Sequence, residues 1–153
     1  MIHHLKSVLA ASAIAFASSA LASSSAMAQT PAFFCGTSGG NPATIATQQG
    51  KNIPVILWVA DNYFSDSGED TITRCTRVSG ILNSYRQQGN WNNIITTSVS
   101  QNNNPIICAA NSQDGSCRLL YQVPQGKTPD QARQELIKKV NNPSLNTVPI
   151  QVN

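Results

Sequence analysis

Four carboxylates fall between positions 61 and 70: Asp61, Asp66, Glu69 and Asp70. Two carboxylates facing each other across a cleft can hydrolyse a glycoside, and several oxygen ligands in one loop can hold calcium. Asp66-Ser67-Gly68-Glu69-Asp70 is faintly similar to such a calcium loop. A plainer reading is a solvated loop whose last carboxylate, Asp70, caps the helix that follows. Capping accounts for Asp70 without a ligand, and no aromatic-lined sugar subsite accompanies the acidic group. No metal or other cofactor is expected.

The other chemically able side chains are four cysteines, Cys35, Cys75, Cys108 and Cys117. They form no C-x-x-C pair. The only histidines, His3 and His4, lie in the first segment of the chain. That segment reads as a secretory signal over residues 1–28: Lys6, an apolar stretch from Val8 to Ala22, then the small-x-small pattern Ala26-Met27-Ala28. Cleavage is expected to leave a mature chain beginning at Gln29. No cysteine follows that site to carry a lipid, and no twin-arginine pair precedes it. Residues 29–153 then contain no imidazole, so a Ser–His–Asp triad, a Cys–His pair and a histidine-ligated metal are all excluded there. Lys51 leaves a Ser–Lys dyad formally open, but no spacing singles out a serine. An even number of cysteines in an exported chain reads as two structural disulfides.

Residues 29–153 carry nine Lys/Arg against seven Asp/Glu. A net charge this small, with no basic run, is not the footprint of a nucleic-acid binder or of a protein held electrostatically on an anionic membrane. Fifteen Asn and twelve Gln in the same stretch make its surface polar but uncharged. Its length suits a single domain with a modest core.

The elements that must position these residues follow from pattern. Phe33–Thr37, Ala43–Thr47 and Ile53–Ala60 read as three strands of an antiparallel meander, separated by Gly39-Gly40-Asn41-Pro42 and Gln49-Gly50-Lys51-Asn52. Pro54 donates no ladder hydrogen bond, so the third strand begins at a bulge or lies at an edge. Asp70 opens a helix whose inward face is Ile72, Cys75, Val78, Leu82 and Tyr85, with Arg74 and Arg77 opposite and Gly89 as the stop. Ile94–Ser100 and Pro105–Ala110 form a hairpin about Gln101–Asn104, and Cys117–Val123 is a sixth strand after the Asp114-Gly115 turn. Thr128, Pro129 and Gln131 then start a second helix with a capping box. Ala132, Leu136, Ile137 and Val140 give that helix its apolar face, and Lys138 and Lys139 suit its end. Pro143 and Pro149 make the tail irregular. The expectation is a small α+β domain, an antiparallel sheet of about six strands in the order βββαβββα. Adjacent strands would bring Cys108 to Cys117. Cys35 and Cys75 are then left to pair, with Cys75 on the inward helix face.

Two sets of aromatics stand near the acidic loop. Trp58, inside an apolar run, reads as core. Tyr63 and Phe64 leave the strand for a polar segment, either as a plug on the core or as contacts for a partner.

Taken as an ordered set, several short pieces are similar to the circadian oscillating polypeptide domain family of cyanobacterial exported proteins. They are Phe34-Cys35-Gly36, Pro42-Ala43-Thr44, Pro54-Val55-Ile56 with Trp58, and Tyr63-Phe64-Ser65 with Ser67-Gly68. Arg74-Cys75, Val78-Ser79, Pro105-Ile106-Ile107-Cys108 and Cys117 complete the set. The sequence departs from the pattern at Thr71, where a proline is expected to open the helix. The resemblance implies a four-cysteine exported domain without catalytic activity, in some members peripherally membrane-associated. The expected function is therefore non-enzymatic binding or association at the cell envelope or a thylakoid surface, in the periplasm, thylakoid lumen or outside the cell. A partner would be met through Asn62–Gly68, with Tyr63 and Phe64 as its anchors. A carboxylate-dependent hydrolase using the 61–70 loop and a purely structural envelope subunit are the alternatives.

Overall fold

The computed structural model describes residues 30–59, 68–111, 113–145 and 148–153. Three strands open the fold, β1 (Ala32–Ser38), β2 (Asn41–Gln48) and β3 (Lys51–Trp58), and they pair as the antiparallel meander the turns call for. Gly39, Gly40, Gln49 and Gly50 all take positive φ in the two tight connections. Ile45 pairs with Pro54 and Thr44 with Ile56, which leaves Val55 as the extra residue of a bulge. The bulge lies beside Pro54 within the strand and not at its start, and since the strand Ile150–Val152 pairs with Ile56, Leu57 and Trp58, Pro54 also lies on an edge on the side away from β2. The bulge also breaks the strand's alternation, so that Val55 and Ile56 are both fully buried.

Helix α1 (Thr71–Tyr85) follows, extended by a 3₁₀ turn over Arg86–Gln88 and ended by Gly89 at φ 70°. A four-residue helix, α2 (Trp91–Ile94), occupies positions that the sequence pattern partly assigned to strand. A second meander comes next: β4 (Ile95–Val99), β5 (Pro105–Ala110) and β6 (Cys117–Gln122). Helix α3 (Pro129–Asn141) begins with the expected box, in which Thr128 accepts from the Gln131 N–H and Gln131 accepts from the Thr128 N–H. The class is α+β, and two details differ from the single six-stranded antiparallel sheet that was expected. The strands form two sheets, one of β4-β5-β6 and one in which β1-β2-β3 is completed by a further strand, β7 (Ile150–Val152). The tail, expected to be irregular, supplies β7, which pairs in parallel with β3. Its two apolar side chains gain burial and its backbone gains a ladder, which outweighs the breaks at Pro143 and Pro149.

One apolar core joins both sheets. Trp58 of β3 meets Tyr121 of β6 edge to face at 6.2 Å, and Phe33 of β1 meets Trp91 in the same manner at 5.9 Å. Disulfides join Cys35 to Cys75 and Cys108 to Cys117, each with Cα atoms 5.4 Å apart. The first fastens α1 onto β1. The second closes the β5–β6 hairpin between positions offset by two in the ladder, a diagonal that strand twist shortens.

Helix side chains also reach the free edges of the sheets. Asn83 of α1 accepts from the Phe33 N–H on β1 at 3.1 Å, and Arg77 of α1 donates to the Leu119 carbonyl on β6. Arg133 of α3 donates to the Ile95 carbonyl on β4 and to the Asn92 carbonyl, each at 2.7 Å. Backbone groups on the edges β1, β6 and β4 are thereby satisfied by side chains instead of by a further strand.

Candidate functional site

The acidic loop was the strongest chemical candidate in the sequence, and two of its four carboxylates are committed to the fold. Asp70 accepts a hydrogen bond from the Thr73 N–H at 2.7 Å while its carbonyl takes the Arg74 N–H at 3.0 Å, the geometry of a helix N-cap. Hydrogen bonding from Thr73 holds its carboxyl below the usual range, with a smaller contribution from the Arg74 charge. Such a group stays ionised near neutrality and cannot serve as the protonated acid that glycoside cleavage needs. Glu69 receives the Arg77 Nε–H at 2.9 and 3.0 Å to its two oxygens. Through Arg77, which also holds the Leu119 carbonyl, the end of the loop is tied to β6. Asp61, Asp66, Tyr63 and Phe64 lie outside the described residues, as do residues 1–28, read in the sequence as a secretory signal, and most of Asn62–Gly68, the expected contact. Among the described residues no three His, Cys, Asp or Glu side chains come together as a metal site. Lys51 is exposed at the start of β3.

Two assignments on the α1 face are corrected. Ile72, expected inward, is 64 % exposed. Arg74, expected on the solvent side, is buried and lies 5.6 Å over the Trp58 ring. Arg74, in the first turn of the helix, faces the core. The guanidinium lies over an indole face that attracts a cation. The indole is itself fixed, since Trp58 Nε1 donates to Thr44 Oγ1 at 3.1 Å and the Ser79 hydroxyl donates to the same oxygen at 2.9 Å. This buried set joins β2, β3 and α1. Spacing could not find it, because it depends on the register between β2 and β3.

On α3, Lys138 and Lys139 stand in the last turn as expected, and Lys139 is buried there and donates to the Val148 carbonyl. Desolvation lowers its pKa, partly countered by the charge of Glu135. It therefore anchors the segment that leads into β7.

Apolar side chains are exposed on either side of the 60–67 segment: Val59, 40 % exposed, immediately before it, and Ile72, 64 % exposed, the second residue of α1. Val59 is itself held by its N–H to the Val152 carbonyl at 2.9 Å. Both ends of the segment thus leave from well-fixed backbone. Among the described residues no helix is long and apolar enough to cross a membrane.

No curated protein and no solved structure matches this chain. A family model described as Circadian oscillating protein COP23 matches residues 32–152, from the first residue of β1 to the last of β7. The matched span takes in both disulfides, the capped start of α1 and the buried Arg74–Trp58 pair, and the chain belongs to the circadian oscillating protein COP23 family.

Proposed function

We propose that this protein is an exported, non-enzymatic domain that acts by association at the cell envelope or a thylakoid surface, through the end of the molecule from which the 60–67 segment emerges. The observation that carries the reading is the pair of exposed apolar side chains, Val59 and Ile72, flanking that segment. Burying them against a partner or into a lipid headgroup region would recover the free energy their exposure forgoes. Tyr63 and Phe64, in the segment itself, add two aromatics of the type that anchors contacts. Export is supported by the signal pattern ending at Ala28 and by two disulfides, which persist in oxidising compartments. The hydrolase reading has less support, because Glu69 and Asp70 are engaged in an ion pair and a cap.

The test uses protein expressed in its native host and fractionated into envelope, lumenal and soluble pools. Ile72→Ser is expected to move the protein from the membrane or envelope pool to the soluble one without changing Tm, because the side chain it alters is mostly in solvent. Tyr63→Ala with Phe64→Ala is expected to do the same. Unchanged partition of both variants would remove this end of the molecule as the contact. Intact mass of the exported protein is expected to show a chain beginning at Gln29.

A further inference from the structure

At the opposite end of α1 a cleft of about 320 Å³ opens between the last helical turn and the β5–β6 loop. Among the described residues its walls are Ser84 and Tyr85 of α1, Gln88 of the 3₁₀ turn, and Asn111 and Gln113 of the loop. The volume lies at the small end of the range for small-molecule sites, about 300–1,000 Å³. We propose that this cleft binds an uncharged, hydroxyl-rich ligand of roughly the size of one or two sugar rings.

The chemistry of the walls selects the ligand class. None of the five side chains carries a charge at neutral pH, so neither an anion nor a cation finds a counter-charge there. Each of them can both donate and accept hydrogen bonds. The Gln88 and Gln113 amides offer a carbonyl and an NH₂ group apiece, and Asn111, whose Oδ1 takes the Gln113 N–H, adds its NH₂ group, the complement of neighbouring hydroxyls on a sugar ring. The helix end adds to this preference: its last carbonyls bear partial negative charge and seek donors, which disfavours anionic ligands. Ser84 already donates its proton to the Ile81 carbonyl at 2.7 Å, which leaves its oxygen to accept from a ligand hydroxyl.

The walls are also held in place, so that a ligand need not order them. Gly89 at φ 70° ends the turn just beyond Gln88. On the other wall the Cys108–Cys117 disulfide closes the hairpin. Within its loop the Gln113 N–H donates to Asn111 Oδ1 at 3.0 Å, and the Ser116 N–H to Asp114 Oδ1 at 2.8 Å. The Asn111 N–H meets the Ser116 carbonyl at 2.8 Å and the Gly115 N–H meets the Asn111 carbonyl at 2.9 Å. This site is separate from the contact end proposed above, since Ile72 and Tyr85 lie about 20 Å apart along α1.

The experiment is an NMR titration of the disulfide-intact, isotope-labelled protein with glucose, N-acetylglucosamine and maltose. Gluconate serves as the charged counterpart. The side-chain amide resonances of Gln88, Asn111 and Gln113 are expected to shift saturably with at least one neutral sugar, with a Kd on the order of 1 mM. Gluconate is expected to bind at least tenfold more weakly. Gln88→Ala and Gln113→Ala, both at exposed positions, are expected to weaken the sugar tenfold or more with Tm unchanged. The proposal is overturned by the absence of a saturable shift with any neutral sugar. Equal affinity for gluconate, or unchanged affinity in both glutamine variants, would overturn it as well.

Discussion

Thr44 receives both the Trp58 indole N–H and the Ser79 hydroxyl proton in a region closed to water. Thr44→Val keeps the shape and removes the acceptor, leaving a buried indole donor unpaired, so stability should fall by about 2 kcal/mol in urea unfolding. Thr44→Ser, which keeps the oxygen, should recover most of that loss. Tyr121 presents the opposite case. Its hydroxyl is buried with no hydrogen-bond partner among the described residues, and burial pushes the phenol far above its usual pKa. Tyr121→Phe should therefore leave stability unchanged or raise it by about 1 kcal/mol; a fall of that size would reveal a partner such as a buried water. Asp70 gives the pH dependence. Its folded-state pKa lies below its unfolded value, so the cap's contribution is complete above about pH 4 and is lost as pH falls through the lower, folded value. Asp114, lowered by bonds from Ser116, has the same sign. Asp70→Asn keeps a capping oxygen and does not titrate, so its stability should fall less between pH 5 and pH 2 than that of the unaltered protein. Asp70 was legible as a cap because capping is local in sequence. Thr44 and Arg74 were not, because their roles need two strands and a helix placed together in space.

At the scale of elements, the strands and helices recoverable from sequence were those with a full period and flanking turn residues. The first meander, the capped helices and the hairpin about Gln101–Asn104 are of this kind. The pairing of the cysteines followed too, once adjacent strands brought Cys108 to Cys117. The two bridges should differ in weight. Cys35–Cys75 spans 40 positions and fastens a helix to an edge strand, whereas Cys108–Cys117 spans 9 and closes a hairpin already paired by its ladder. In the chain-entropy model these loops correspond to about 4 and about 2.5 kcal/mol respectively. Paired serine substitutions at 35 and 75 should lower the urea midpoint markedly more than those at 108 and 117. Equal losses would show that the hairpin bridge contributes to the native packing beyond its loop. Edge capping by Asn83, Arg77 and Arg133 was invisible in sequence, where each reads as an ordinary polar position on the outside of a helix. The split into two sheets followed the same logic: α1 reaches the edges of both, which local pattern cannot express.

For the molecule as a whole, the decisive departure from sequence expectation is the C-terminal strand. Ile150, Gln151 and Val152 are too few to show a period, and two prolines precede them, so nothing local marks them as structure. In the fold they pair with Ile56, Leu57 and Trp58, and the Val59 N–H extends the ladder to the Val152 carbonyl. Ile150 and Val152 are each only 2 % exposed. Lys139, through its bond to the Val148 carbonyl, holds the approach to the strand from the last turns of α3. The end of the chain thus closes the first sheet over the bulged strand and connects it to the helix that packs on the second. Deleting residues 150–153 would remove two buried aliphatic side chains, about 1.5–3 kcal/mol each, and would strip β3 of a neighbour. A combined loss of about 3–6 kcal/mol is a large part of the ~5–15 kcal/mol that holds a domain of this size together. The truncated protein should therefore be largely unfolded or melt far below the full chain in circular dichroism. Ile150→Ala alone should lose about 2–4 kcal/mol. Melting of the truncated chain within a few degrees of the full one would return these residues to the irregular tail that the prolines suggest.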